Sequence, residues 1–322
     1  MRNLGWLAVV IAAVFAVLSV SVLASWRGAG PLEQPVNITI NEGSTLTQAA
    51  QTLEQAEVIA SADRFLLLAR FLASDDPIRA GEYEMPAGVS QARALEILQH
   101  DAAVQRFVTI PEGMPSVLVH DRLMANELLT GEIPVPPEGS VLADSYSYER
   151  GGSRAGVLAR MQEARDAELA RLWAQRSPHA VVRTPREAVI LASIVEKETA
   201  LASERRMVAG VYSNRLRIGM RLQADPTIIY PITRGRPLGR RIRRSEIDDV
   251  NDYNTYAMAG LPKGPIANVG REALAAVLDP AETDALYFVA DGSGGHVFAA
   301  TLEEHNRNVE RWYRLRRERG EM

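Results

Sequence analysis

The stretch Thr184–Ala202, TPREAVILASIVEKETALA, decides how the chain is read: it carries a helix start, an apolar face and one residue out of place on that face. Thr184 suits an N-cap and Pro185 the first helical position, and Glu187 completes a capping box. At about 100° per residue, Leu191, Ile194, Val195 and Ala202 share one side, with Ala188 at its margin. Glu198 falls in the middle of that side. Glu196 points roughly 160° away, so the two carboxylates cannot serve one site, and Glu196 is expected to be a solvated charge. A carboxylate in an apolar stripe is costly unless it is paired, hydrogen-bonded or protonated. Glu198 therefore has two readings: an internal ion pair, with Arg205 as the obvious partner, or a general acid whose pKa is raised by its surroundings.

The rest of the chain gives this helix an ordinary globular setting. Its 322 residues, 47% hydrophobic and 24% charged, allow one to three domains with ample core. A formal charge of −4 argues against a general nucleic-acid binder. With no cysteine, disulfides and thiolate metal sites are excluded, and the five His show no metal-ligand spacing, so metal catalysis is not expected. No GxSxG occurs, and His296 and His305 lack a Ser or Asp partner motif, which removes support for nucleophilic hydrolysis.

The N-terminus stands apart. No charge occurs from Asn3 to Trp26, and Leu7–Ala24 is long enough to span a bilayer, with Trp6 and Trp26 at its ends. Arg2 and the terminal amine precede the span and Arg27 follows it, so the positive-inside rule favours a cytoplasmic N-terminus only weakly. A cleaved signal peptide is the rival, with Val22-Leu23-Ala24 a tolerable cleavage site, but the length fits an anchor better. Either way the remainder is exported.

The fold class expected is α+β: residues 1–27 as stub and transmembrane helix, 28–35 as linker, 36–104 as a small α+β subdomain and 105–322 as a larger mixed α+β domain. In the small region the pattern predicts a strand at 36–40, helices at 45–57 and 63–73, a strand at 80–85 and a helix at 90–99. In the large one it predicts a strand at 105–110, helices at 117–125, 155–174, 184–202 and 204–217, and a short apolar strand at 227–230. A helix at 271–278, strands at 285–290 and 296–300 around a hairpin, and a helix at 302–319 complete it. The Pro/Gly-rich run 131–153 is long for a loop inside a domain.

Other residues bear two readings each. Asp225, before Pro226, suits an Asx turn or a second carboxylate. Tyr253, Asn254 and Tyr256 either pack a turn or line a sugar cleft. The six Arg at 234, 236, 240, 241, 243 and 244 form a solvated face or contact an anionic substrate or lipid headgroups.

Residues 192–230, ASIVEKETALASERRMVAGVYSNRLRIGMRLQADPTIIY, followed by YNTY (253–256), GLPKGPI (260–266) and YFVADGSGGHVF (287–298), resemble the endolytic murein transglycosylases, the MltG or YceG-like family. AGEY (80–83) and IPEGM (110–114) extend the resemblance over nearly the whole chain. LADSY (142–146) and Lys263 depart from it where Pro is expected, which bears on loop detail only. The resemblance implies a single-pass inner-membrane protein with a LysM-like subdomain at 36–104 and a periplasmic catalytic region. It implies cleavage of the MurNAc–GlcNAc β-1,4 bond in nascent peptidoglycan strands, with peptidoglycan synthases as candidate partners. It places the catalytic carboxyl at the second Glu of EKE, Glu198, which the helical face selects by itself, and no metal or cofactor is implied. Gln223, Asp225, Tyr253, Asn254 and Tyr256 are the candidate substrate-binding residues. Two alternatives remain: a water-using muramidase with Asp225 as second carboxylate, and a peptidoglycan-binding scaffold without activity.

Overall fold

The computed structural model describes residues 2–321; the Met1 amine and the Arg2 side chain, counted above as flanking charge, lie outside the described atoms. The chain forms two compact units, Met1–Arg106 and Phe107–Met322.

The first unit begins with α1 (Arg2–Arg27). Its segment Val9–Arg27 is the one helix among the described residues long and apolar enough to cross a membrane, and almost none of it is buried. Then follow β1 (Val36–Ile40), α2 (Leu46–Gln55), α3 (Ala62–Leu72), β2 (Gly81–Met85) and α4 (Gln91–His100). The two strands pair antiparallel, from Val36 opposite Met85 to Ile40 opposite Gly81. Side chains of Thr45, Ser61 and Ser90 cap α2, α3 and α4, as the sequence pattern requires.

The linker expected at 28–35 is not free. Gly30 donates its N–H to Gly88 and Gly88 donates to Leu32, while the Gln91 amide reaches back to the Ser25 carbonyl at 2.9 Å. Gly30 is required here, because a Cβ on it would lie 2.3 Å from the Val89 carbonyl oxygen. Trp26 is buried in this unit's core, its ring 5.7 Å from that of Phe65. The last turn of the apolar helix is thus part of the small module, because an indole that size finds more apolar contact there than at a free helix end.

The second unit is built on α7 (Pro185–Glu198), whose residues 188–196 are all buried. Before it come β3 (Arg106–Thr109) and α5 (Ser116–Met124), then β4 (Ser145–Tyr148), which pairs with β3, and α6 (Arg154–Ala174). After it come α8 (Arg205–Arg217), α9 (Asp225–Thr233), α10 (Arg244–Ile247) and α11 (Arg271–Leu278), with β5 (Tyr287–Ala290), β6 (His296–Ala299) and α12 (Leu302–Glu318). The last two strands form an antiparallel hairpin, Tyr287 opposite Ala299 and Ala290 opposite His296. Leu191, Ile194 and Val195 of α7 share one core with Val208 and Tyr212 of α8 and Leu274 and Val277 of α11.

Three sequence expectations change. The central helix ends at Glu198, four residues early, because Thr199 is extended (φ −138°, ψ 133°) and its hydroxyl takes up the Leu201 N–H. The strand expected at 227–230 is helix α9: its β-branched residues suggest a strand, but Pro226 in the first turn and burial of Thr227, Ile228 and Tyr230 decide for helix. The run 131–153 is not all loop, since β4 lies inside it.

Candidate active site

Glu198 is the last residue of α7, reached by a helix whose Thr184 cap and reciprocal Glu187 bond are both present. The residue is half-buried, but its Oε1 is shut off from solvent and has no hydrogen-bond partner among the described residues. Burial pushes its carboxyl up to about 7, and the Asp225 charge adds to the rise. The Tyr212 hydroxyl and the Arg215 guanidinium pull the other way and are outweighed. A carboxyl poised near neutrality can hold a proton, donate it and take it back.

The groups that act on it come from α8, α9 and the loop at 253–256, and their neighbours hold them in place. Tyr212, fully buried on α8, packs edge-on against Phe288 of β5 at 5.8 Å. Arg215, one turn further, is held by the carbonyls of Leu286 (2.7 Å) and Leu222 (2.5 Å), so its charge is fixed in place. Asp225 opens α9 and accepts the Tyr256 hydroxyl at 2.6 Å. Gln223, exposed, sits in the left-handed region (φ 53°), its N–H bound to the Thr255 carbonyl at 3.1 Å. A non-glycine residue pays strain for that conformation, and such strain persists where neighbours over-determine it. Thr255 does so: its hydroxyl accepts the Ala224 N–H at 3.0 Å and meets the Thr227 hydroxyl at 2.8 Å.

Of the residues singled out from sequence, Asp225 and Tyr256 share the electrostatic neighbourhood of Glu198. Tyr253 packs on Tyr230, ring centroids 4.9 Å apart. Asn254 is fully buried: its amide donates to the carbonyls of Ile247 and Asp249 and its Oδ1 accepts the Tyr256 N–H, so it builds the loop and has no surface for a ligand. Of the Arg-rich loop, Arg236 pairs with Asp121, Arg240 with Glu246 and Arg244 with Asp248, so half of the cluster is engaged within the protein.

The expected partner of Glu198 goes elsewhere. Arg205 binds Glu112 and approaches Glu196 at 3.5 Å. Glu196 is not a solvated charge: its side chain is 2% exposed and accepts the Gly270 N–H at 2.9 Å. The helix-wheel argument failed for Glu196 because α7 is enclosed on all sides, so the face opposite the apolar stripe is also interior. Sequence reasoning missed Tyr212 and Arg215. The test that found Glu198 finds Arg215 too, since it lies seven residues after Val208 on the core side of α8.

The chain has relatives. A chain 25% identical over 317 residues is the endolytic murein transglycosylase of Bacillus subtilis (strain 168), with 88% of this chain and 86% of that protein covered. The endolytic murein transglycosylase of Streptococcus pneumoniae serotype 2 (strain D39 / NCTC 7466) is 28% identical over 324 residues, covering 85% of this chain but 58% of the streptococcal one. A crystal structure of a YceG-like protein from Listeria monocytogenes matches with a TM-score of 0.54 and 26% identity, over 85% of this chain and 98% of that one. The model of the YceG-like family matches residues 38–311, and the chain belongs to that family.

Proposed function

We propose that this chain is a membrane-anchored lytic transglycosylase that cuts the MurNAc–GlcNAc β-1,4 bond within peptidoglycan strands, with Glu198 first as acid and then as base. The observation that carries this is the Glu198 carboxyl: closed off at Oε1, without a guanidinium partner, and poised at about 7. The names of the relatives in Bacillus and Streptococcus agree with such a substrate.

In the first half, Glu198 gives its proton to the glycosidic oxygen as the bond from C1 of MurNAc breaks and an oxocarbenium-like centre develops. In the second, the MurNAc 6-hydroxyl attacks C1, its proton passes to the Glu198 carboxylate, and a 1,6-anhydro ring closes. The acid is thereby restored. The nucleophile comes from the substrate, so one carboxyl suffices. Arg215 eases the interval in which Glu198 is ionised, and Tyr212 holds its orientation. Gln223, Asp225, Tyr253 and Tyr256 are the groups offered to the sugar; Asn254 supports them from behind.

In this reading α1 crosses the inner membrane and the remainder faces the periplasm. The order strand, helix, helix, strand in β1–α2–α3–β2, closed by an antiparallel pair, suits a LysM-like glycan-binding module.

Product mass tests the chemistry. The full chain in detergent is given uncrosslinked glycan strands, and the new ends are weighed. Ends lighter by one water support the transglycosylase. Ordinary reducing ends would establish the muramidase reading, which the Asp225 charge beside Glu198 favours. Binding to cell-wall sacculi without cleavage would leave the scaffold.

A further inference from the structure

Glu198 stands at the last position of its helix. Helix ends fray, because the terminal carbonyls lack intrahelical partners and few contacts hold the final turn. An acid whose proton must reach one oxygen cannot tolerate that freedom, so something has to fix the end of α7.

Two residues earlier, Glu196 reaches in the opposite direction. Its Oε2 accepts the N–H of Gly270, the residue that caps α11, at 2.9 Å, and its Oε1 lies 3.5 Å from Arg205 Nη2 on α8. The same Nη2 binds the carboxylate of Glu112, in the turn after β3. The Glu112 side chain lies directly over Gly270, where a Cβ would fall 2.1 Å from its Oε1. Beside it, Lys197 Nζ donates to the Gly113 carbonyl at 3.3 Å, and Gly113 in turn donates its N–H to the Asn268 carbonyl at 3.0 Å. Four segments therefore meet on the back of the last turn: α7, α8, the turn at 111–114 and the start of α11.

We infer that Glu196 is a positioning residue for the reaction: through Gly270 and the Arg205–Glu112 bridge it locks the final turn of α7, so that Glu198 projects from the other side at a fixed place. The inference rests on Glu198 being the catalytic acid. Glu196 and Arg205 are buried, and the clamp carries two carboxylates on one guanidinium, an arrangement that a fold has little reason to retain for stability alone. Thr199 completes it on the far side, its hydroxyl donating to Glu204 at 3.3 Å while Glu204 holds His296 Nδ1 at 2.7 Å.

The test uses the full chain in detergent and a glycan-strand cleavage assay on three variants. Glu196→Gln keeps an acceptor for Gly270 but releases Arg205; its kcat is expected to fall about 10- to 100-fold, as for a catalytic group misplaced by roughly 1 Å, with KM held. Glu112→Gln, altering an exposed side chain, keeps the fold and is expected to show the same split at a few-fold. Glu198→Gln is the reference, with cleavage lost. A folded Glu196→Gln protein of full kcat, or a loss carried by KM alone, would overturn the inference. Should Glu196→Gln not fold, a Glu112→Gln variant of unchanged kcat overturns it. Activity surviving in Glu198→Gln would instead refute the assignment of Glu198.

Discussion

Each unit of the molecule buries a carboxylate, and the two are treated in opposite ways. Glu82, in β2 of the first unit, is 5% exposed, and Arg106 meets both its oxygens, at 2.9 and 2.8 Å. In the second unit Glu198 has an Oε1 without any partner among the described residues. Glu168 shows that the second unit can also supply guanidinium groups: Arg171 and Arg271 both bind it and hold its carboxyl below the ordinary value. A fork of N–H donors is the usual answer to a buried carboxylate. That answer is absent at Glu198, with Arg205 diverted to Glu112 and Arg215 fixed on two carbonyls, and this is the contrast on which the proposed role in proton transfer rests.

The sharpest way to break the contrast is to remove the carboxyl that has no partner. Glu198→Gln is expected to lower kcat by about 10³-fold, within the range of a general acid–base group, while circular dichroism shows an unchanged fold. Retained turnover would make Glu198 as structural as Glu82.

In the first unit the large effect should be on stability instead. Trp26 is 4% exposed and packs on Phe65, so Trp26→Ala is expected to destabilise that unit by roughly 3–5 kcal/mol. Denaturant titration would show an early transition for the module, with the second unit unfolding as before. An unaltered transition would mean that the end of α1 is only tethered to the module.

The same Glu198→Gln protein probes the cost of the unpaired carboxyl. The folded-state pKa, about 7, lies above the ordinary 4.5, so the folded chain binds more protons than the unfolded one between these values. Stability is therefore lost as pH rises from 4.5 to 7, by at most roughly 3 kcal/mol. Gln does not titrate, so the variant should match the parent at pH 5 and be the more stable at pH 8. Melting curves at the two pH values decide this; equal differences would place the proton elsewhere.

How much of this was legible in the sequence depends on how local the cause is. Caps, periodicity and turn residues act within a few positions, and they place α2, α3, α4, α6 and α11 within two residues. The burial of Glu198 was legible for the same reason, as a charge on an apolar stripe. The helix at 225–233 was not, because its β-branched run is overruled by packing against Thr255 and the core. Nor was the clamp at Glu196, whose partner Gly270 lies 74 positions away in sequence and which shares Arg205 with Glu112, 84 positions away. The diversion of Arg205 has the same origin: its partner is chosen by a turn 93 positions back.

The smallest predicted effect separates the two chemical readings of the site. The Asp225 charge raises the Glu198 pKa, second to burial. Asp225→Asn removes that charge, so the alkaline limb of the pH–rate profile, set by loss of the Glu198 proton, should move down from about 7 toward 4.5, by less than the full interval because burial remains. At neutral pH fewer molecules then hold the proton and kcat falls; at lower pH kcat recovers to that of the parent, while any lost contact with the sugar is carried by KM. Tyr256 keeps an acceptor at the amide oxygen, so the geometry around Asp225 is little disturbed. A muramidase using Asp225 as base or nucleophile would behave otherwise, losing its rate at every pH. A displaced limb with an undiminished plateau therefore speaks for a single working carboxyl, tuned by a neighbour that takes no proton itself.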